Sequence, residues 1–71
     1  MTMNEKIAEL EAQGYIKNDD YEVYENATDG FTVQIFTSFW SFEEYDFDKE
    51  GNLIDVWETN IGAGSSKNGR P

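Results

Sequence analysis

The sequence predicts an α+β fold: one N-terminal helix packed on a four-stranded antiparallel meander sheet, with a disordered C-terminal tail. Three observations predict it. An apolar stripe at helical spacing opens the chain, four segments with strand-like character follow between turn residues, and the final stretch NIGAGSSKNGRP is rich in Gly, Ser and Asn. At 71 residues the chain makes one domain, expected over residues 1–60, with residues 61–71 as a flexible tail.

The helix is expected over residues 3–13. Met3, Ile7 and Leu10 recur at i, i+4 and i+7, Thr2 or Asn4 is placed to cap, Glu5 sits in the first turn, and Gly14 is a natural stop. Lys17-Asn18-Asp19-Asp20 is a polar turn. Residues 21–26 then read as a strand, with Tyr21, Val23 and Glu25 on one face and Glu22 and Tyr24 on the other. Ala27-Thr28-Asp29-Gly30 is a hairpin signal, because Asp-Gly readily supplies positive φ. The next strand alternates from Phe31 to Thr37, with Phe31, Val33 and Ile35 opposed to Thr32, Gln34 and Phe36. A third strand covers about 41–48, a turn follows at Asp48–Asn52, and the fourth strand is Leu53–Glu58. That strand is apolar on both faces, which predicts a central position or cover by the helix.

Composition narrows the function. Fifteen acids against five bases give a net charge of −10, which disfavours direct contact with nucleic acid or an anionic membrane. The chain has no cysteine and no histidine, so disulfides and Cys/His zinc sites are absent. Eleven aromatic residues argue for a folded core despite the charge. No apolar run is long enough for a transmembrane helix, and no secretory signal opens the chain, so the expected location is the cytoplasm. No P-loop, nucleotide fingerprint or nucleophile–base set is present, and the expectation is a protein that is not an enzyme and carries no cofactor. Asn26-Ala27-Thr28 is a glycosylation sequon, which carries meaning only with export.

The segment TSFWSFEEYDFD, residues 37–48, sets five aromatic rings among four carboxylates. Period two resolves part of this, placing Tyr45 and Phe47 on one face and Glu44 and Asp46 on the other. Phe42 falls on the acid face, and Phe39 and Trp40 are adjacent. Two arrangements remain open: a bulge near Ser38 or Ser41 with every ring in the core, or one or two rings left at the surface as an aromatic contact patch.

The negative charge is unevenly placed. Residues 18–60 carry twelve acids and one base, Lys49, whereas residues 61–71 carry Lys67 and Arg70. Alternate residues on a strand lie about 6–7 Å apart and neighbouring strands about 4.8 Å apart, so Glu22, Glu44, Asp46 and Asp55 would form a two-dimensional array. Duplex DNA carries one charge per roughly 1.7 Å of axis, and an acidic face imitates that field coarsely. The expected partner is a basic nucleic-acid-binding protein. The expected contact residues are Glu22, Glu25, Glu43, Glu44, Asp46, Asp48, Glu50, Asp55 and Glu58, with Phe39 and Trp40 as aromatic anchors.

In its length, its single helix with a small sheet, its acidity and its lack of a catalytic signature, the chain resembles the small acidic inhibitors encoded by bacteriophages: anti-CRISPR proteins, anti-restriction DNA mimics and inhibitors of host nucleic-acid enzymes. Colicin-immunity-type proteins share these features. The resemblance implies a non-catalytic inhibitor acting in the host cytoplasm. Two alternatives stand beside it. One is a protein-interaction module that works through an exposed aromatic patch. The other is a small calcium-binding domain, because Asp46, Asp48, Glu50, Gly51 and Leu53 match positions 1, 3, 5, 6 and 8 of a calcium loop, although Trp57 replaces the bidentate Glu at position 12. The stretch EYDFDKEGNLIDVW is also similar to the last hairpin of PepSY-type domains, which place a small sheet after a helix.

Overall fold

The computed structural model describes residues 1–60 and 64–67. Helix α1 spans Met3–Ala12, and strands β1 (Tyr21–Glu25), β2 (Phe31–Ser38), β3 (Ser41–Phe47) and β4 (Leu53–Asn60) follow. The strands pair antiparallel in chain order, as the α+β meander requires. A further strand, β5 (Gly64–Lys67), pairs antiparallel with β4 at the sheet edge. The segment expected as a tail thus contributes one short strand, and its remaining residues, 61–63 and 68–71, lie outside the described residues.

Both ends of α1 are closed by local chemistry. The Thr2 side chain accepts from the Glu5 N–H at 3.2 Å while the Glu5 carboxylate accepts from the Thr2 N–H at 2.7 Å, a reciprocal cap that also holds the Glu5 carboxyl below its usual range. At the far end Tyr15 N–H reaches Leu10 O and Gly14 N–H reaches Glu11 O, with Gly14 at φ 87°. Only this left-handed glycine lets both orphan carbonyls be satisfied in a Schellman turn.

The helix is tied to the β3–β4 turn by Met3 N–H to Gly51 O and Leu53 N–H to Met1 O. The core beneath it consists of Leu10, Tyr21, Val33, Ile35 and Phe47, with Met3, Ile7, Tyr15, Val23, Tyr45 and Leu53 packed around them. These sheet residues share one face. Phe31, Val33 and Ile35 pair with Phe47, Tyr45 and Glu43 across β3, so the parity read from β2 holds.

Lys6 also turns inward. It is only 7 % exposed, its ammonium lies 4.3 Å from the centre of the Tyr45 ring, and it bonds Glu9 at 3.0 Å. Burial works to lower its pKa, but the Glu9 and Tyr45 contacts outweigh burial and leave it raised. The long stem supplies apolar cover while the charge keeps a carboxylate and a ring face.

The turns divide between two glycine roles. Gly51 takes φ 85°, as a tight hairpin demands. In the β1–β2 hairpin the positive φ falls on Asp29, at 64°, and not on Gly30. Gly30 is required for a different reason: a Cβ there would sit 2.0 Å from the Phe47 carbonyl oxygen.

Strand β4 lies inside the sheet, between β3 and β5, as the first of its two expected placements has it, but it adds little to the core. The core belongs to β1, β2 and β3, to which β4 adds Leu53. A register shift sets Phe47 opposite Leu53 and Asp46 opposite Asp55, which leaves Ile54 unpaired and 49 % exposed. The apolar residues on both faces of β4 therefore reflect a bulge that turns Ile54 outward and a Trp57 that stays 36 % exposed, not full burial on two sides.

Candidate functional site

The side of the sheet turned away from α1 has no second layer among the described residues. Residues directly opposite in adjacent strands point to the same face. On that basis the open face carries the rows Glu22–Gln34–Glu44–Trp57, Tyr24–Thr32–Asp46–Asp55 and Phe36–Phe42–Thr59.

Four predicted acids therefore meet there: Glu22, Glu44, Asp46 and Asp55. Tyr24 sits among them. Its hydroxyl donates to Glu44 Oε1 at 3.2 Å. Burial first, then the charges of Glu44, Asp46 and Glu22, push this phenol up to about 12. A phenolate would have to form inside a field that is already negative. Asp46 is fixed by the Thr32 hydroxyl, which donates to its Oδ1 at 2.6 Å, and Thr32 itself is buried at 2 % exposure. Asp46 and Asp55 stand directly opposite in adjacent strands.

The other five acids are not brought to this face. Glu43 and Glu58 oppose each other on the helix-side face, in line with Ile35, and Glu25 shares that face opposite Phe31. Asp48 closes the β3–β4 turn by accepting from the N–H groups of Glu50 at 3.0 Å and Asn52 at 2.9 Å, with Glu50 exposed beside it. The nine predicted carboxylates are thus divided, with four on the open face, three on the opposite face and two in the β3–β4 turn.

The same bonds bear on the calcium-loop pattern. Asp46 faces Thr32 on the sheet while Asp48 holds backbone amides in the turn, so the two do not converge. Among the described residues no three acidic groups gather as a metal site would require. The sequon is likewise committed inward: Asn26 Nδ2 donates to Phe47 O at 3.1 Å and Thr32 Oγ1 at 3.4 Å, and Asn26 Oδ1 accepts from Thr28 N–H and Oγ1.

The aromatic question resolves as the surface arrangement: a bulge is present, but it does not carry every ring into the core. The register shifts between Phe36 and Ser38, and yet Phe39 and Trp40 stay outside, at 86 % and 59 % exposure. They occupy the tip of the β2–β3 hairpin in an edge-to-face pair, 4.6 Å between centroids. Hydroxyl contacts brace the tip: Thr37 and Ser38 each contact Ser41 Oγ, at 2.8 and 2.7 Å, and Ser38 Oγ accepts from Trp40 N–H at 3.2 Å.

Beside the acid rows lies an open cavity of about 250 Å³, walled by Asn26, Ala27, Thr28, Asp46, Ile54, Asp55 and Trp57. Of these, only Asp46 and Asp55 were expected as site residues. Trp57 shares the parity of Asp55, a signal present in the sequence, whereas Ile54 reaches the cavity only because of the bulge.

No family model, curated protein or solved structure matches this chain. No helix among the described residues is long and apolar enough to cross a membrane.

Proposed function

We propose that this chain is a non-catalytic acidic inhibitor, of the DNA-mimicking, anti-defence kind that bacteriophages encode, and that its open sheet face binds the basic surface of a nucleic-acid-handling host protein. The observation that carries the reading is the gathering of Glu22, Glu44 and Asp46 around the Tyr24 hydroxyl, with Asp55 in the adjoining strand. Carboxylates on a sheet keep fixed spacings, and a fixed anionic array steers a cationic partner into register. A pull-down from bacterial lysate at low and high salt tests it. A basic nucleic-acid-binding protein is retained only at low salt, and Glu22→Lys with Glu44→Lys weakens it on the order of a hundredfold. Binding indifferent to salt and to this charge reversal rules the mechanism out.

A second reading, a protein-interaction module, is favoured by the exposed Phe39–Trp40 pair at the braced hairpin tip. Aromatic residues are common anchors at interfaces. Here Trp40→Ala abolishes partner binding, salt has little influence, and Glu44→Lys leaves the affinity intact.

A further inference from the structure

We infer that the free edge of the sheet at β1 takes up an extended segment of a partner protein as an added antiparallel strand, and that this segment alternates basic and apolar residues. The inference goes beyond the acidic-face reading, since it concerns the rim of the sheet and the backbone of β1.

β1 is the first strand of the sheet, so β2 takes only one of its sides. Two bonds decide which residues face outward. Phe36 N–H donates to Asp20 O at 2.9 Å, and Asn26 N–H donates to Gly30 O at 3.1 Å, just beyond the two ends of the β1–β2 ladder. Hydrogen-bonded and non-bonded pairs alternate along an antiparallel ladder. Glu22 and Tyr24 therefore turn their backbone groups to β2, while Tyr21, Val23 and Glu25 turn theirs outward. Tyr21 agrees: its carbonyl accepts from Asn18 N–H at 2.7 Å, and Lys17 bridges to it in parallel. The chain thus begins a pairing on this side and leaves it after Tyr21. Among the described residues nothing pairs with the outward backbone of Val23 or Glu25. Their N–H and C=O groups are a template for a further strand.

Side chains select the occupant. Proteins commonly blunt such an edge with lysine, proline or a bulge. Tyr21–Glu25 holds no lysine and no proline, and its register with β2 runs without a shift. The charge on this edge is of one sign: Glu22 and Glu25 are exposed, with half-buried Val23 and exposed Tyr24 between them. Such an edge repels an acidic strand and admits a basic one. An incoming strand sets alternate residues beside Glu22 and Tyr24, and the intervening ones beside Val23 and Glu25. Basic side chains in the first set meet the Glu22 carboxylate and the Tyr24 ring, and apolar ones in the second extend the cover over Val23. A second copy of this chain fits poorly, because each copy carries a net charge of −10.

The test uses a capped hexapeptide of alternating lysine and valine, titrated at low salt into the full chain. Its controls carry glutamate for lysine, N-methylation at each valine, or N-methylation at each lysine. Amide hydrogen exchange and amide NMR shifts are read together. In the free chain the Val23 and Glu25 amides exchange fast, while those of Glu22 and Tyr24 are protected. The peptide protects Val23 and Glu25. Methylating the valines, whose N–H groups face β1 in the antiparallel register, weakens binding at least about tenfold. Methylating the lysines, whose N–H groups face water, changes it by less than about threefold. The glutamate peptide binds at least about tenfold more weakly than the lysine peptide. No binding, or equal binding of the two methylated peptides, overturns the added strand. Equal binding of the glutamate peptide overturns its basic character. Val23 and Glu25 amides already protected in a dimer of the free chain overturn the partner in favour of a second copy. Every comparison uses the unmodified chain, so none depends on whether a variant folds.

Discussion

The two faces of the sheet are built from the same strands and have opposite characters. Ile35 and Phe36 are neighbours in the chain, yet Ile35 is 3 % exposed beneath the helix and Phe36 is 38 % exposed on the open side. On the helix side, apolar residues from α1, β1, β2 and β3 close over one another. On the open side, Tyr24, Phe36 and Trp57 share the surface with carboxylates and keep part of each ring in solvent. The comparison teaches that aromatic content does not locate a core. A ring becomes core only where another layer excludes water from it.

Replacing residues on each face is the strongest way to break this comparison. Phe47 has no exposure, and Phe47→Ala should cost about 3–5 kcal/mol, an appreciable part of the roughly 5–15 kcal/mol that holds a native domain together. Phe36→Ala should cost no more than about 1 kcal/mol. Urea unfolding followed by circular dichroism measures both; equal losses would mean that the open face is covered in solution.

Gly30→Ala probes where the hairpin approaches the sheet. Its Cβ would meet the Phe47 carbonyl oxygen and the Asp48 backbone, neither of which can swing aside like a side chain. Overpacking of this kind costs about 1–3 kcal/mol, and a thermal melt that matched the unmodified chain would disprove the close approach.

The open face has its own signature in alkali. Because the Tyr24 pKa is raised to about 12 from the 10.0 of an ordinary tyrosine, the folded state holds this proton more tightly than the unfolded state does. Its contribution to stability is complete below pH 10 and is lost as pH rises through about 12. Ultraviolet titration should reveal a tyrosinate step near pH 12 that disappears in Tyr24→Phe and moves downward in Glu44→Gln. A step unmoved by Glu44→Gln would count against the gathering of acids around this hydroxyl.

The smallest effect belongs to the helix side. Lys6→Met keeps the stem that covers Tyr45 and removes the contact with Glu9, so stability should change by less than about 1 kcal/mol. A larger loss, read by urea unfolding, would assign the ammonium more than a surface ion pair contributes.

Much of the molecule was legible before any coordinates. Met3, Ile7 and Leu10 mark the buried stripe of α1, Gly14 and Gly51 mark turns that need positive φ, and alternation along β2 separates Val33 and Ile35 from Gln34 and Phe36. These features depend on residues two to four apart, whose geometry is set by the local backbone. The pairing of Asp46 with Asp55, the extrusion of Ile54, the inward turn of Lys6, the exposure of Phe39 and Trp40 and the addition of β5 were decided only by the tertiary structure. Each depends on where a bulge shifts the register between distant segments, or on whether another layer lies over a face. No local pattern encodes either, because both follow from contacts between segments far apart in the chain.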